Sequence, residues 1–322
     1  MKQFVKDLKD RDSVSSVFLA TDKTVLTDRN GKSYMSFNLT DASGTINARI
    51  WDKVEDWSQM FEPGDFVKVK GHVQLYQSRK QIIVHDIQKA ASDSVVLKDF
   101  VGAAIEDPAK MFERLTSLVG GLQDEQIKGL MQVILADEET KTRLLRAPAA
   151  KSIHHAYLGG LLEHILSICD IMEFLAKHYP FLNRDLLIFG AVFHDIGKIW
   201  ELTHEDGIKY TDRGRLVGHM AIACEMIDKK AGEVPGLDQA KIDILKHIVL
   251  SHHGKLEYGS PKLPSLPEAM VVAMVDELDS KLNTVIKFMR SELDTGEAWT
   301  RLNPQFDRYF YLEFLRAKER PS

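Results

Sequence analysis

Leu186-Leu187-Ile188-Phe189-Gly190-Ala191-Val192-Phe193 runs directly into His194-Asp195-Ile196-Gly197-Lys198. Eight consecutive apolar residues read as a helix buried on every side. The imidazole and carboxylate that end it then have no solvent to turn to, and each needs a partner. Adjacent side chains can be aimed at one locality only where a helix stops. Gly197 reads as the break, and Lys198 adds a cation beside it. The same run is the longest apolar stretch in the chain, far short of the roughly 20 residues that cross a bilayer. Met1-Lys2-Gln3-Phe4 also lacks an apolar signal region, so the expectation is a cytoplasmic protein.

Working outward from this run, ten of the 12 histidines fall after residue 106, several of them inside apolar helical patterns. His164 lies in Leu161-Leu162-Glu163-His164-Ile165 and His219 in Leu216-Val217-Gly218-His219-Met220. His252-His253 follows Ile248-Val249-Leu250-Ser251 and ends at Gly254; Asp276 follows Val271-Val272-Ala273-Met274-Val275. A single histidine in such a setting is ordinarily a satisfied core residue. Several imidazoles and carboxylates arriving from separate helices argue for one shared partner, and a divalent cation serves them all. Cys169 and Cys224, the only cysteines, lie within apolar helical patterns and read as small buried hydrophobes rather than a disulfide framework.

The 322 residues carry a net charge of −5, with 44% apolar and 28% charged side chains, a globular composition long enough for about two domains. Residues 1–90 hold 14 basic and 12 acidic side chains, against 28 and 35 in the remainder. The front part therefore tolerates a polyanion, whereas the acidic remainder repels phosphates unless cations sit in it.

Up to about residue 90 the apolar residues alternate as in strands. Val17 and Leu19 mark the first; Met35, Phe37 and Leu39 the second; Ile46, Ala48 and Ile50 the third. Val67, Val69, Val73 and Leu75 mark the fourth, and Ile82, Val84 and Ile87 the fifth. Asp28-Arg29-Asn30-Gly31 and Asp41-Ala42-Ser43-Gly44 read as hairpin turns, and 54–61 as a short helix closed by Pro63-Gly64. Five strands with a helix between the third and fourth resemble the OB-fold, over about residues 12–90. The opposite faces of these strands interleave aromatic and cationic side chains: Tyr34, Arg49, Trp51, Lys68, Lys70 and Tyr76, with Arg79 and Lys80 in the last loop. Such a face stacks bases and neutralises phosphates of single-stranded RNA, or of single-stranded DNA. The plainer alternative is that Trp51 and Tyr34 close the barrel or meet a neighbouring domain.

Residues 91–106 read as a linker, and Asp107-Pro108 opens a helix with a cap followed by proline. Spacings of three and four then recur over 111–119, 127–135, 157–175, 186–194, 216–227, 242–250 and 270–288. The fold class is thus a five-stranded barrel over 1–90 followed by an all-α region over 107–322. Apolar faces on the late helices, with Tyr309-Phe310-Tyr311-Leu312, serve either self-association into a homo-oligomer or the core.

His164, then His194-Asp195, then Asp276 resemble the H…HD…D signature of the HD-domain metal-dependent phosphohydrolases, whose fold is a helical bundle. An OB-fold ahead of an HD domain at this length is similar to the YhaM-type 3′-to-5′ exoribonucleases, over nearly the whole chain. The resemblance implies that His164, His194, Asp195 and Asp276 bind one metal. It implies a second held by His219 and His252, with His253 as a further ligand and Asp195 bridging. It also implies that Asp195 and Lys198 are catalytic, Lys198 approaching the scissile phosphate, and that Mn²⁺ is the favoured ion among Mn²⁺, Fe²⁺, Co²⁺, Zn²⁺, Ni²⁺ and Mg²⁺. Arg213 and Arg215 offer phosphate contacts, and Asp279 and Lys281 hydrogen-bonded support for ligands. Hydrolysis to nucleoside monophosphates follows from the family. Two other readings stay open: an HD phosphohydrolase of a nucleotide or cyclic dinucleotide, and a non-catalytic replication-associated module with a structural metal. Against cyclic dinucleotides, His252-His253-Gly254 is followed by Lys255-Leu256-Glu257-Tyr258-Gly259-Ser260-Pro261 where the HD-GYP subfamily has Gly-Tyr-Pro.

Overall fold

The structure, a computed structural model, describes residues 2–28, 31–76, 79–90, 95, 99–100, 106–150, 159–203 and 208–319. The chain divides into two compact units, Met1–Gly102 with Asn283–Ser322, and Ala103–Leu282. This division cuts the stretch 107–322, read from sequence as one helical domain, after Leu282. Most of the linker read at 91–106, the turn residues Arg29 and Asn30, the loop residues Gln77 and Ser78, and Tyr157 and Leu158 lie outside the described residues.

In the first unit β1 (Ser13–Thr27), β2 (Ser33–Asp41), β3 (Gly44–Ile50), β4 (Phe66–Tyr76) and β5 (Arg79–Lys89) form a closed barrel in the order β1-β2-β3-β5-β4. β4 pairs back to β1, and β3 pairs with β5 in parallel. The helix α1 (Val54–Ser58) sits between β3 and β4 and stops short of Phe61, which instead joins the core with its ring 5.2 Å from that of Phe37. Asp41 Oδ1 accepts from Ser43 N at 2.8 Å, the side-chain turn that its sequence position invites.

Two details depart from simple alternation. In β1 the inward residues are Val14, Ser16, Phe18 and Ala20, while Val17 and Leu19 are half-buried. Val17-Phe18-Leu19 offers apolar side chains to both faces, and the largest of the three takes the interior. In β5, Val84 and Ile87 are both buried although three positions apart, because the register shifts opposite Lys70/Gly71 and leaves His85 as the extra residue.

The second unit is helical. It holds α2 (Pro108–Gly120), α3 (Glu125–Ala136), α4 (Glu138–Leu144), α5 (Gly160–His178) and α6 (Arg184–Phe193). After these come α7 (Lys198–Glu201), a ribbon of β6 (Leu202–Thr203) and β7 (Lys209–Tyr210), α8 (Asp212–Leu216), α9 (His219–Ala231) and α10 (Gln239–Ser251). The long α11 (Pro267–Ser291) follows and runs across the division after Leu282, its last residues belonging to the first unit. Side-chain caps start many of these helices: Asp107 accepts from Ala109 N beside Pro108, Asp124 from Gln126 and Ile127, and Asn183 from Asp185 and Leu186. Residues 187–193 of α6 are buried throughout, as the opening run predicts, with Leu162, Ile165 and Ile248 in the same core. Cys169 is buried and Cys224 half-buried. Among the described residues no helix is long and apolar enough to cross a membrane.

Near the C-terminus α12 (Glu313–Glu319) contributes Leu315 to a small cluster with Leu312 and Met289, against which Phe310 packs. Tyr309 and Tyr311 stay exposed. Part of the Tyr309–Leu312 motif therefore completes a core.

Candidate metal centre and nucleic-acid face

The end of α6 is the centre of the second unit's polar interior. His194 continues the helix as its cap residue and Asp195 follows; both side chains are almost fully buried. His164 comes from the first turns of α5, His219 opens α9, His252 caps α10 with His253 beyond it, and Asp276 lies on α11. These side chains converge in two groups, His164/His194/Asp195/Asp276 and His219/His252/His253, and in each the candidate ligand atoms lie within 4.8 Å of one another.

Asp195 faces both groups. Its Oδ2 is 3.5 Å from His194 Nε2 and 3.8 Å from His164 Nε2, while Oδ1 is 3.5 Å from His219 Nε2 and 3.7 Å from His252 Nε2. Asp276 Oδ1 completes the first group, 3.3 Å from His164 Nε2 and 3.7 Å from His194 Nε2.

All five imidazoles are turned the same way. Each Nδ1 faces an oxygen acceptor: Asp279 Oδ2 for His164 (2.8 Å), Ala191 O for His194 (3.0 Å), Glu201 Oε1 for His219 (3.0 Å), Val249 O for His252 (2.7 Å) and Tyr258 O for His253 (2.8 Å). A carbonyl or carboxylate only accepts, so Nδ1 carries the proton and Nε2 is the nitrogen presented to the interior. Asp195 Oδ1, His219 Nε2 and His252 Nε2 are buried with no hydrogen-bond partner among the described residues. Three orphaned acceptors around one point make a costly arrangement for a protein interior unless a cation satisfies them. The donor set therefore fits a divalent metal, and mixed imidazole and carboxylate ligands suit a transition metal.

The electrostatics agree. Burial alone would lower the His164 pKa, yet Asp276, Asp279 and Asp195 outweigh it and lift it to about 9, the mark of a place that stabilises positive charge. Burial holds His194, His252 and His253 below the usual imidazole value, keeping them neutral. Burial pushes Asp195 up, but Lys198 and the surrounding histidines hold it well below the usual carboxylate range. Lys198 Nζ lies 2.6 Å from Asp195 Oδ2, and that carboxylate keeps the ammonium charged despite its burial.

Gly197 serves a different purpose from the break read in the sequence. Its φ of −62° is ordinary right-handed backbone. A Cβ there would lie 2.0 Å from the carbonyl oxygen of His219, so glycine is required by the close approach of two chain segments. Among the supporting residues, Asp279 is held between His164 and Ser167, whose Oγ donates to Asp279 Oδ1 at 2.6 Å. Lys281 instead pairs with Glu277. Arg213 pairs with Glu225, and Arg215 is exposed. Sequence reading missed Glu201, which holds His219; it lies in a helix of four residues, too short for any periodicity to single it out.

On the barrel, the structure brings together four of the eight residues read as a nucleic-acid face. Tyr34 and Trp51 stack with ring centres 4.7 Å apart and planes 22° apart. The Arg49 guanidinium lies 5.6 Å from the Tyr34 ring and 5.4 Å from that of Tyr76, with its buried Nε lacking a hydrogen-bond partner among the described residues. Lys68 and Lys80 are exposed. Lys70 is paired with Asp86 at 2.9 Å, and Arg79 with the buried Glu292 at 2.9 Å.

A closed OB-like barrel and a helical unit with an H…HD…D centre define a metal-dependent hydrolase of the HD class with a nucleic-acid-binding module. Consistent with this, the OB-fold nucleic acid binding domain family matches residues 16–90 and the HD domain family residues 161–281. The chain belongs to the YhaM 3′-5′ exoribonuclease family. It is 35% identical to the 3′-5′ exoribonuclease YhaM of Geobacillus sp. (strain WCH70) over 88% of this chain and 86% of that protein. It is 34% identical to that of Oceanobacillus iheyensis over 91% and 92%, and 32% identical to that of Halalkalibacterium halodurans over 93% of each.

Proposed function

We propose that the protein is a metal-dependent 3′-to-5′ exoribonuclease that grips single-stranded RNA on the barrel and hydrolyses it to nucleoside monophosphates at the HD centre. The observation that carries this reading is the pair of ligand groups sharing Asp195, with five Nε2 atoms turned inward. His164, His194, Asp195 and Asp276 would hold one divalent ion, and His219, His252, His253 and Asp195 a second. Bound there, such ions acidify water and offset the charge that grows on the phosphoryl oxygens. Manganese is the ion we favour, on the family resemblance; the mixed imidazole and carboxylate set argues only against magnesium, which prefers oxygen-only shells.

The chain's own residues do the rest. Asp279 and Glu201 keep His164 and His219 in the ligand tautomer. Lys198, charged and held beside Asp195, supplies a fixed positive charge for the scissile phosphate. Tyr34, Trp51 and Tyr76 offer ring faces to bases, and Arg49 between them offers a guanidinium. Lys68 and Lys80 are the exposed cations for the backbone; Lys70 and Arg79 are committed to carboxylates. We take the working domains to be a barrel over 1–90 and an HD domain beginning near 107, in a cytoplasmic protein.

Single-stranded RNA labelled at the 3′ or the 5′ end, incubated with Mn²⁺ or with chelator, tests the reading. Immediate mononucleotide release from the 3′ label and a descending ladder from the 5′ label are expected, both abolished by chelation. Metal-dependent hydrolysis of mononucleotides with RNA left intact would replace the exoribonuclease reading with a nucleotide phosphohydrolase.

A further inference from the structure

The two ligand groups differ in charge. Asp195 and Asp276 both belong to the first, whereas His219, His252 and His253 form an all-imidazole group whose neighbouring carboxylates are Asp195 and, behind His219, Glu201. We infer that Glu201 is the positioning residue of this second group: it fixes His219 in the tautomer that offers Nε2 and gives the group a buried negative charge. The inference rests on the metal reading above.

The geometry is specific. Glu201 Oε1 lies 3.0 Å from His219 Nδ1 and 3.0 Å from His219 N, so one carboxylate oxygen grips both the ring and the backbone of the same residue. The backbone bond replaces a missing cap. α9 begins after Gly218, which has no side chain to receive the free N–H groups of the first turn. The ring bond sets the tautomer, because an ionised carboxylate has no proton to give and Nδ1 must therefore donate. His219 Nε2 is then a bare, buried acceptor without a hydrogen-bond partner among the described residues.

Glu201 is itself clamped. Its carbonyl accepts from Thr211 N at 2.9 Å, and a Cβ on Gly214 would lie 2.2 Å from that same oxygen. Glu201 is thus held by main chain on one side and holds a ligand on the other. A residue that served only as a cap would contribute to stability alone; one that positions a ligand also sets the ring's protonation pattern and its metal affinity, by about 10- to 100-fold for such supporting groups.

The experiment uses the full chain with ¹⁵N-labelled histidine, stripped of metal, and reads the ring nitrogens before and during titration with Zn²⁺, a diamagnetic probe. In the wild type His219 should show a protonated Nδ1 and a bare Nε2. In Glu201→Ala it should show a tautomer mixture, and the His219, His252 and His253 signals should saturate at about 10- to 100-fold higher Zn²⁺, with His164 and His194 responding as before. Glu201→Gln keeps an acceptor for Nδ1 and loses the charge, so it should fall between the two. A Glu201→Ala protein with the wild-type tautomer and wild-type Zn²⁺ response overturns the inference. Should that variant not fold, a wild-type Zn²⁺ response in Glu201→Gln overturns it instead. If the wild type shows no Zn²⁺ response at the three histidines, the metal reading fails there, while the tautomer comparison still decides what Glu201 does.

Discussion

The candidate metal centre and the barrel face differ in residue type and in burial: imidazoles and carboxylates converge in the one, aromatic rings around a guanidinium in the other. In the centre most of the candidate ligands are buried, and Asp279, Glu201 and three backbone carbonyls settle the orientation of five rings. On the barrel, Tyr34, Trp51 and Tyr76 are only partly covered, and they touch one another and Arg49 rather than a supporting shell. A site for an ion must be complete before the ion arrives, because a charge in the interior tolerates no unpaired neighbour. A surface for a flexible strand gains from rings that accept any base. The contrast teaches that the candidate metal ligands and the candidate base-stacking rings separate in this chain by burial as well as by sequence position.

The sharpest way to break the comparison is Asp195→Ala. Removing the one carboxylate that faces both groups should reduce RNA hydrolysis to background while leaving RNA affinity, measured by fluorescence anisotropy, within about twofold, since Asp195 belongs to the helical unit and the proposed RNA-facing rings to the barrel unit. Retained hydrolysis would remove Asp195 from the site. Next in size, Trp51→Ala or Tyr34→Ala should weaken RNA binding by about 1–3 kcal/mol for each lost stack, appearing as a higher KM for RNA with Mn²⁺ occupancy unaltered. Smallest is Arg79→Ala: Arg79 is engaged with the buried Glu292, so its loss should lower thermal stability by about 1 kcal/mol, the scale of a partly exposed ion pair. RNA affinity should hardly move. A large fall in affinity with unchanged melting would instead return Arg79 to the nucleic-acid face.

Much of the helical unit and the convergence of its seven candidate ligands could be read from the chain because burial and polarity conflict there. A histidine or aspartate at the end of an eight-residue apolar run is visible against its background, and Asp107-Pro108 announced its helix through capping chemistry. The barrel's strand order was legible too, but β1 was read on the wrong face, since Val17-Phe18-Leu19 supplies no polar residue to set the alternation. The pairing of Arg79 was not legible for a different reason: its partner Glu292 lies 213 positions away, and no local pattern carries such a pairing. Glu201 escaped because a four-residue helix has no period, and its role exists only once the chain has returned to place His219 against it.

The close approach at Gly197 makes a residue without a side chain matter to the candidate centre. Glycine binds nothing, holds no proton and presents no side chain, yet any replacement at position 197 must move the carbonyl of His219, and with it a candidate ligand of the centre. Gly214, set against Glu201, passes a replacement to the same histidine one step further back. A side chain at either position is therefore expected to disturb the candidate metal centre without touching any of its ligand atoms directly.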